Sequence, residues 1–157
     1  MVESLVAIVV GLLSMVVFYM SASQAIQLVR SGKQMATASQ LVQRRIETIR
    51  LTASWPDITT KAGLQALIAT DAAEVAADSA AKLVTLPGVT ETYTVKPYPA
   101  QGNTAFSLTW SPSRIRTEGV DLSSERCVQV TLILSWTGFS KTQRSCELAT
   151  IITRGGV

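Results

Sequence analysis

The first twenty residues of this chain form an apolar run that contains a single charged side chain, Glu3. From Ser4 to Met20 only two serines and one glycine interrupt the aliphatic and aromatic residues. As a helix this run rises about 30 Å, which matches the thickness of the hydrocarbon core of a bilayer. A carboxylate at the edge of such a segment costs a few kcal/mol unless another group pairs with it. We therefore expect another group to pair with the Glu3 carboxylate, and we expect the identity of that group to indicate the function.

The residues that follow predict a continuation of the same helix. No proline occurs from Ser21 to Ala53, and small or apolar residues recur every three or four positions along one side of a helix. This set, here called the seam, comprises Ser21, Ala25, Leu28, Gly32, Met35, Ser39, Val42, Ile46, Ile49 and Ala53. Polar residues, among them Arg44 and Arg45, fall mostly on the other side. The proline of Trp55-Pro56 ends the helical pattern.

The chain thus divides into a stalk helix over residues 1–53 and a globular domain over residues 54–157. The domain begins with an Ala-rich helical segment, Lys61–Val84, in which Asp71 and Glu74 have the spacing of a capping box. Alternating residues then predict four strands: Thr90–Tyr98, Thr104–Trp110, Val128–Trp136 and Thr142–Thr153. A polar loop is predicted at Ser111–Arg126 and a hairpin turn at Thr137–Lys141. Helices followed by strands indicate the α+β class, with the stalk helix packed on a small antiparallel sheet.

The N-terminal residues Val2-Glu3-Ser4-Leu5-Val6-Ala7-Ile8-Val9-Val10 resemble the start of type IV pilins and pseudopilins. In that family a peptidase removes a short basic leader after a glycine, the new N-terminus is methylated, and the Glu pairs with a neighbour's terminal amine during filament assembly. The resemblance implies this role for Glu3. Because the family's Glu is fifth in the mature chain, the resemblance also implies either that a leader and two further residues precede Met1, or that Met1 is a replacement or a wrong start. Met20 stands where many major pilins carry a proline, which favours a minor pilin or pseudopilin.

The apolar half of the helix is the element that the resemblance assigns to assembly. Its expected partners are copies of the chain or other pilins, with the membrane as its environment before assembly. Gly11 and Ser14 offer small surfaces for close helix–helix approach. The predicted assembly residues are Glu3, Leu5, Val6, Ile8, Val9, Gly11, Leu12, Leu13, Val16 and Val17.

The two cysteines, Cys127 and Cys146, are most simply one disulfide in an exported domain. The predicted hairpin opposes this pairing. With Trp136 facing Thr142, the two cysteines lie on opposite faces of the sheet, whereas a disulfide needs Cα atoms within about 7 Å. The bond is therefore expected only if Cys127 belongs to a loop that folds back, or if a bulge shifts the register.

Charge and composition argue against several function classes. The formal net charge of +3 comes from the stalk, and the balanced domain lacks the basic footprint of a nucleic-acid-binding protein. Arg114 and Arg116 are expected to be solvated. The chain has no histidine, and it has no phosphate-binding loop or nucleophile motif. Asp71, Glu74 and Asp78 read as a solvated helix face rather than a metal or acid–base cluster. We expect no catalytic residue, no metal, no cofactor and no small-molecule substrate.

Three functional interpretations remain. The first is a structural subunit of a type IV pilus or related filament, the second a pseudopilin of a type II secretion system, and the third a single-span membrane-anchored extracytoplasmic binding or sensor domain. Glu3 favours the first two, since a monomeric anchor gains nothing from that carboxylate. Arg30 and Lys33 alone would keep the domain in the cytoplasm, whereas a basic leader would reverse the topology. We expect an inner-membrane protein whose globular domain, here called the head, lies outside the cytoplasm. After assembly we expect an extracellular or periplasmic filament.

Overall fold

The computed structural model describes residues 2–69, 86–99, 105–111, 114–138 and 141–155. Two helical elements, α1 and α2, lead into a further helical stretch over residues 61–69 and then into five strands. Their bounds are α1 Val2–Thr52, α2 Trp55–Thr59, β1 Thr90–Pro97, β2 Phe106–Ser111, β3 Arg114–Gly119, β4 Cys127–Thr137 and β5 Gln143–Thr153. The strands form one antiparallel sheet in the order β3-β2-β1-β4-β5. The expected α+β architecture, a long N-terminal helix on an antiparallel sheet, is confirmed.

Helix α1 is uninterrupted because its 51 residues include no proline. It ends where the sequence predicts, just before the Trp55-Pro56 pair, and α2 begins there with Pro in its first turn. The Asp57 carboxylate turns back to accept hydrogen bonds from the Ser54 backbone N–H at 2.9 Å and from the Ser54 hydroxyl at 2.6 Å. These bonds lower the pKa of Asp57, the side-chain bond most. The junction between α1 and α2 is thus a defined corner.

The sheet has two chemically different faces. The inner face, which meets the helices, carries the fully buried residues of β4: Val128, Val130, Leu132, Leu134 and Trp136. Antiparallel pairing puts their partners from β1 and β5 on the same face. On the outer face the residues of β1, β2 and β4 are mostly Ser and Thr and are half-buried, as expected for one open side of an antiparallel sheet.

Two sequence predictions about the sheet were wrong. The segment Ser111–Arg126 is not a polar loop throughout, because β3 runs through it and pairs with β2. The hairpin turn has the predicted length of five residues but lies one position further along the chain, since Thr137 pairs with Gln143 and therefore Trp136 faces Arg144, not Thr142. Gly138 and Thr142 close the turn through a backbone hydrogen bond of 2.8 Å. Each residue of β5 accordingly lies two positions further along β4 than the sequence suggested.

The core joins the end of the stalk to the sheet. Ala38, Val42, Ile46 and Ile49 of α1 are buried in one cluster with the inner face. A second contribution comes from Ile58, Leu64 and Ile68, together with Leu122 of the segment after β3. The predicted helix Lys61–Val84 is helical over residues 61–69, and the remainder, with the Asp71–Glu74 pair and Asp78, lies outside the described residues.

Candidate functional site: the exposed N-terminal helix and its anchorage

The first half of α1 projects from the head with its apolar side chains uncovered. Val2 is 78% exposed and Phe18 is 77% exposed, and large apolar residues of every helical face between them are also exposed. Within the described residues, one helix is long and apolar enough to cross a membrane, and it is this one. An apolar surface of this size, interrupted by so few polar residues, marks a site of contact with lipid or protein.

The predicted assembly residues all lie on this projecting helix. The side chains of Val6, Ile8, Val9, Leu12, Leu13, Val16 and Val17 are exposed, and Leu5 lies in the same helix. They surround the helix rather than forming a stripe, so contact on several sides is needed to cover them. That geometry suits a helix inside a bundle or a bilayer.

Glu3 lies in the first turn of α1, with its side chain exposed. On the same face, four and eight residues further on, are Ala7 and Gly11. A Cβ added at Gly11 would meet no atom within 4 Å. The Glu3 carboxylate therefore lies near two small residues, Ala7 and Gly11, where another helix backbone can approach closely. No described residue forms an ion pair or a hydrogen bond with the Glu3 side chain.

The second half of α1 is fixed to the head, but only part of the seam takes part. Val42, Ile46 and Ile49 are buried as predicted, whereas Leu28 is 73% exposed and Met35 is 45% exposed. The stalk helix therefore packs on the sheet through the C-terminal part of the seam. Along α1, contact with the sheet reaches Ser31, whose hydroxyl accepts a short hydrogen bond from the Arg144 guanidinium of β5.

A buried polar cluster joins α1 to the centre of the sheet. Arg45 of α1 lies 3.5 Å from the carboxylate of Glu91 in β1, and each side chain is only 4% exposed. The Tyr93 hydroxyl donates a 2.6 Å hydrogen bond to the other carboxylate oxygen of Glu91. Sequence reasoning put Arg45 on the polar side of the helix and missed this contact. The alternation along β1 could have indicated that Glu91 is buried, because Glu91 lies on the same face of the strand as the buried residues Tyr93 and Val95.

The corner after α1 is tied to the far edge of the sheet. The Lys61 backbone N–H donates to the Asp121 carboxylate at 2.9 Å, and its ammonium donates to the Gly119 carbonyl at 2.9 Å. The Leu122 backbone N–H donates to the Thr59 carbonyl at 2.8 Å. The head is thereby held to the helices at both edges, through β5 and through the segment after β3.

Cys127 and Cys146 are free. Cys127 pairs with Thr153 and faces outward, while Cys146 pairs with Leu134 and faces the core. Seven residues of β4 separate their positions along the strand, about 23 Å at 3.3 Å per residue. The candidate disulfide is therefore not formed, because the register opposes it as the hairpin argument indicated.

Among the described residues, no group of three acidic, His or Cys side chains is placed to hold a metal ion. Arg114 and Arg116 lie exposed on β3 at the edge of the sheet, not in a loop. No protein-family model, curated protein or solved structure matches this chain.

Proposed function

We propose that this chain is a structural subunit of a type IV pilus or a related filament, in which α1 packs with other subunits and the globular domain forms the outer surface. The observation that carries the proposal is the division of α1 into two halves. One half is apolar on all sides and uncovered, and the other half is fixed by the inner face of the sheet. A globular domain fixed to one end of an uncovered apolar helix suits a subunit that polymerises through that helix.

The length of the uncovered segment supports a protein partner in addition to lipid. From Val2 to Arg30 the helix is about 43 Å long at 1.5 Å per residue, whereas the hydrocarbon core of a bilayer is about 30 Å thick. Ile26, Leu28 and Val29 are exposed beyond a membrane-spanning stretch that starts at Val2. Each large apolar side chain that becomes buried contributes about 1.5–3 kcal/mol. Neighbouring subunits would cover these residues, and a bilayer alone would not.

Glu3 supplies the specificity of assembly in this proposal. A carboxylate inside a filament core of low dielectric is costly when unpaired, and an ammonium group of the neighbouring subunit offsets much of that cost. The pair would form only at one axial stagger between helices, so it would select the correct register. The helix dipole also favours an acidic residue in a first turn, by about 0.3–1 kcal/mol, and this alternative needs no partner.

The test is Glu3→Ala in the full chain, with Ser4→Ala as the matched control at the adjacent exposed position. We expect Glu3→Ala to leave membrane insertion and head folding intact but to reduce incorporation into filaments when it is co-expressed with wild-type subunits. Filaments are quantified by electron microscopy, and incorporation by a tag on the mutant. Incorporation at the frequency of Ser4→Ala would leave Glu3 only its helix-dipole role.

A single-span anchor is the second candidate, because α1 meets the length and composition of a membrane span. The same experiment separates the two functions. A monomeric anchor inserts and stays dispersed in the membrane under every condition, and neither substitution alters its self-association.

A further inference from the structure

We propose that the two open edges of the sheet pair with each other between successive copies of this chain, β3 of one copy beside β5 of the next. The inference rests on the proposed function, to which it adds a second contact between subunits. This contact would join the globular domains of successive copies, whereas the contact through α1 would join their N-terminal helices. Its occupant is a second copy of the chain.

Both edges of the sheet are open along most of their length. In β3 every residue except half-buried Ile115 is exposed, and in β5 the outer-face residues from Ser145 to Thr153 are exposed. Over residues 115–118 and 145–151, no described group outside the sheet bonds to the strand backbone. Unpaired strand edges of this kind are templates for another strand.

The two edges carry opposite charges at the ends of one row of the sheet. Cross-strand partners on the outer face align as Arg116, Thr109, Thr92, Ile133 and Glu147, from β3 through β2, β1 and β4 to β5. A row with a guanidinium at one end and a carboxylate at the other is self-complementary in a head-to-tail arrangement. If the rows continue straight into the next copy, Arg116 of one copy lies beside Glu147 of its neighbour.

The same register also matches on the inner face. The row Thr117, Leu108, Tyr93, Leu132 and Leu148 would continue so that Thr117 meets Leu148 of the next copy. A slip of one residue would turn each side chain to the wrong face. A slip of two residues in one direction would place Glu118 beside Glu147, which is repulsive. Charged side chains on an edge usually prevent pairing, but at this register the Arg116 guanidinium and the Glu147 carboxylate have opposite charges and attract each other.

The symmetry of this contact fits a filament. In the strand order β3-β2-β1-β4-β5 of an antiparallel sheet, β3 and β5 run in the same direction, so a translated copy would pair with them in parallel. Such a contact joins two different surfaces and does not close, and heterologous contacts of this type generate open helical assemblies. The pairing need not be strong, because α1 already holds the heads at a high effective concentration.

Disulfide trapping in the assembled full chain tests the register. The outer-face row next to that of Arg116 runs Glu118, Ser107, Thr94, Thr131 and Ala149. We therefore introduce Glu118→Cys and Ala149→Cys together, in a chain whose native cysteines are changed by Cys127→Ser and Cys146→Ser. Within one copy these positions are four strand spacings apart, about 19 Å, so only neighbouring copies can form the bond. The matched control pairs Glu118→Cys with Ile151→Cys, two residues further along β5 and out of bonding range.

Mild oxidation should give a ladder of covalent multimers for Glu118→Cys/Ala149→Cys and none for the control. Adding Arg116→Glu should abolish the ladder, and adding Glu147→Arg to that variant should restore it. Filament formation is recorded in the same samples by electron microscopy. Filaments without a ladder, or with an equal ladder in the control, would overturn the edge pairing and leave the proposed function standing. Absence of filaments in every variant, the parent chain included, would overturn both.

Discussion

The buried ion pair between Arg45 and Glu91 gives the sharpest energetic prediction, because it crosses from α1 to the middle of the sheet. We expect Arg45→Met to destabilise the head by about 3–5 kcal/mol, since removing one partner of a buried pair leaves the other charge desolvated and uncompensated. Natural domains have about 5–15 kcal/mol of stability in total. This one substitution therefore removes a large part of it. Tyr93→Phe, which deletes the hydrogen bond to the same carboxylate, should cost about 1.5–3 kcal/mol.

A double substitution distinguishes a missing charge from a missing volume. In Arg45→Met/Glu91→Leu neither charge remains, so the penalty should largely disappear, and apolar replacements of buried pairs are often neutral or stabilising. The coupling between the two positions should then be on the order of 3 kcal/mol or more, in a double-mutant cycle of neighbouring residues. Simple loss of packing would make the double variant at least as unstable as either single one.

The assay is denaturant unfolding of the full chain in detergent, followed by tryptophan fluorescence and far-ultraviolet circular dichroism. Arg44→Met is the matched control, since Arg44 is the same residue type one position earlier and is exposed. Its cost should stay within about 1 kcal/mol. If Arg45→Met costs no more than Arg44→Met, Arg45 and Glu91 are solvated in solution and the burial argument is wrong.

Three further predictions concern folding. Trp136→Ala should cost about 3–5 kcal/mol because the indole is fully buried, and a melting temperature near that of wild type would show that the ring is exposed. Gly119→Ala should strongly destabilise the head, since Gly119 has a φ of +102° and an added Cβ would lie 2.2 Å from a backbone carbonyl oxygen. Gly11→Ala, at an open helix position, should leave melting of the head unchanged. The pKa of Asp57 is lowered in the folded chain, so its carboxylate stabilises the fold above its unfolded pKa, and this stabilisation is lost as the pH falls through the folded pKa. The free energy of unfolding of Asp57→Asn should therefore depend less on pH below about 5 than that of wild type.

The sequence predicted the strongly periodic elements well. The stalk and the strand Val128–Trp136 were found to within a residue or two, because each has a long run of one period and its end is marked by Pro or Gly. Strand β3 was missed for a physical reason. As an edge strand it exposes Arg116 and Glu118 on one face and Thr117 on the other, so it shows no apolar alternation.

The candidate site was only partly readable. Exposure of the N-terminal helix follows from composition, and the positions of Glu3 and its neighbours follow from helical spacing. The buried Arg45 could not be found from the helix alone, because a residue at the border of the polar face is buried only if a partner such as Glu91 comes from elsewhere in the chain. How far the sheet extends along α1 was equally invisible, since it depends on the length of the β4–β5 hairpin and not on the seam.

The packing of α1 on β4 and β5 sets the order of events during synthesis. The buried part of the seam lies at residues 42–49 and the strands that cover it at residues 127–153, roughly a hundred residues later. Val42, Ile46 and Ile49 therefore stay uncovered until almost the whole chain has left the ribosome, and loop closure over that separation makes docking a late step. A chain truncated before β5 would keep this apolar surface open, so the nascent chain can complete its core only after the last strand has been synthesised.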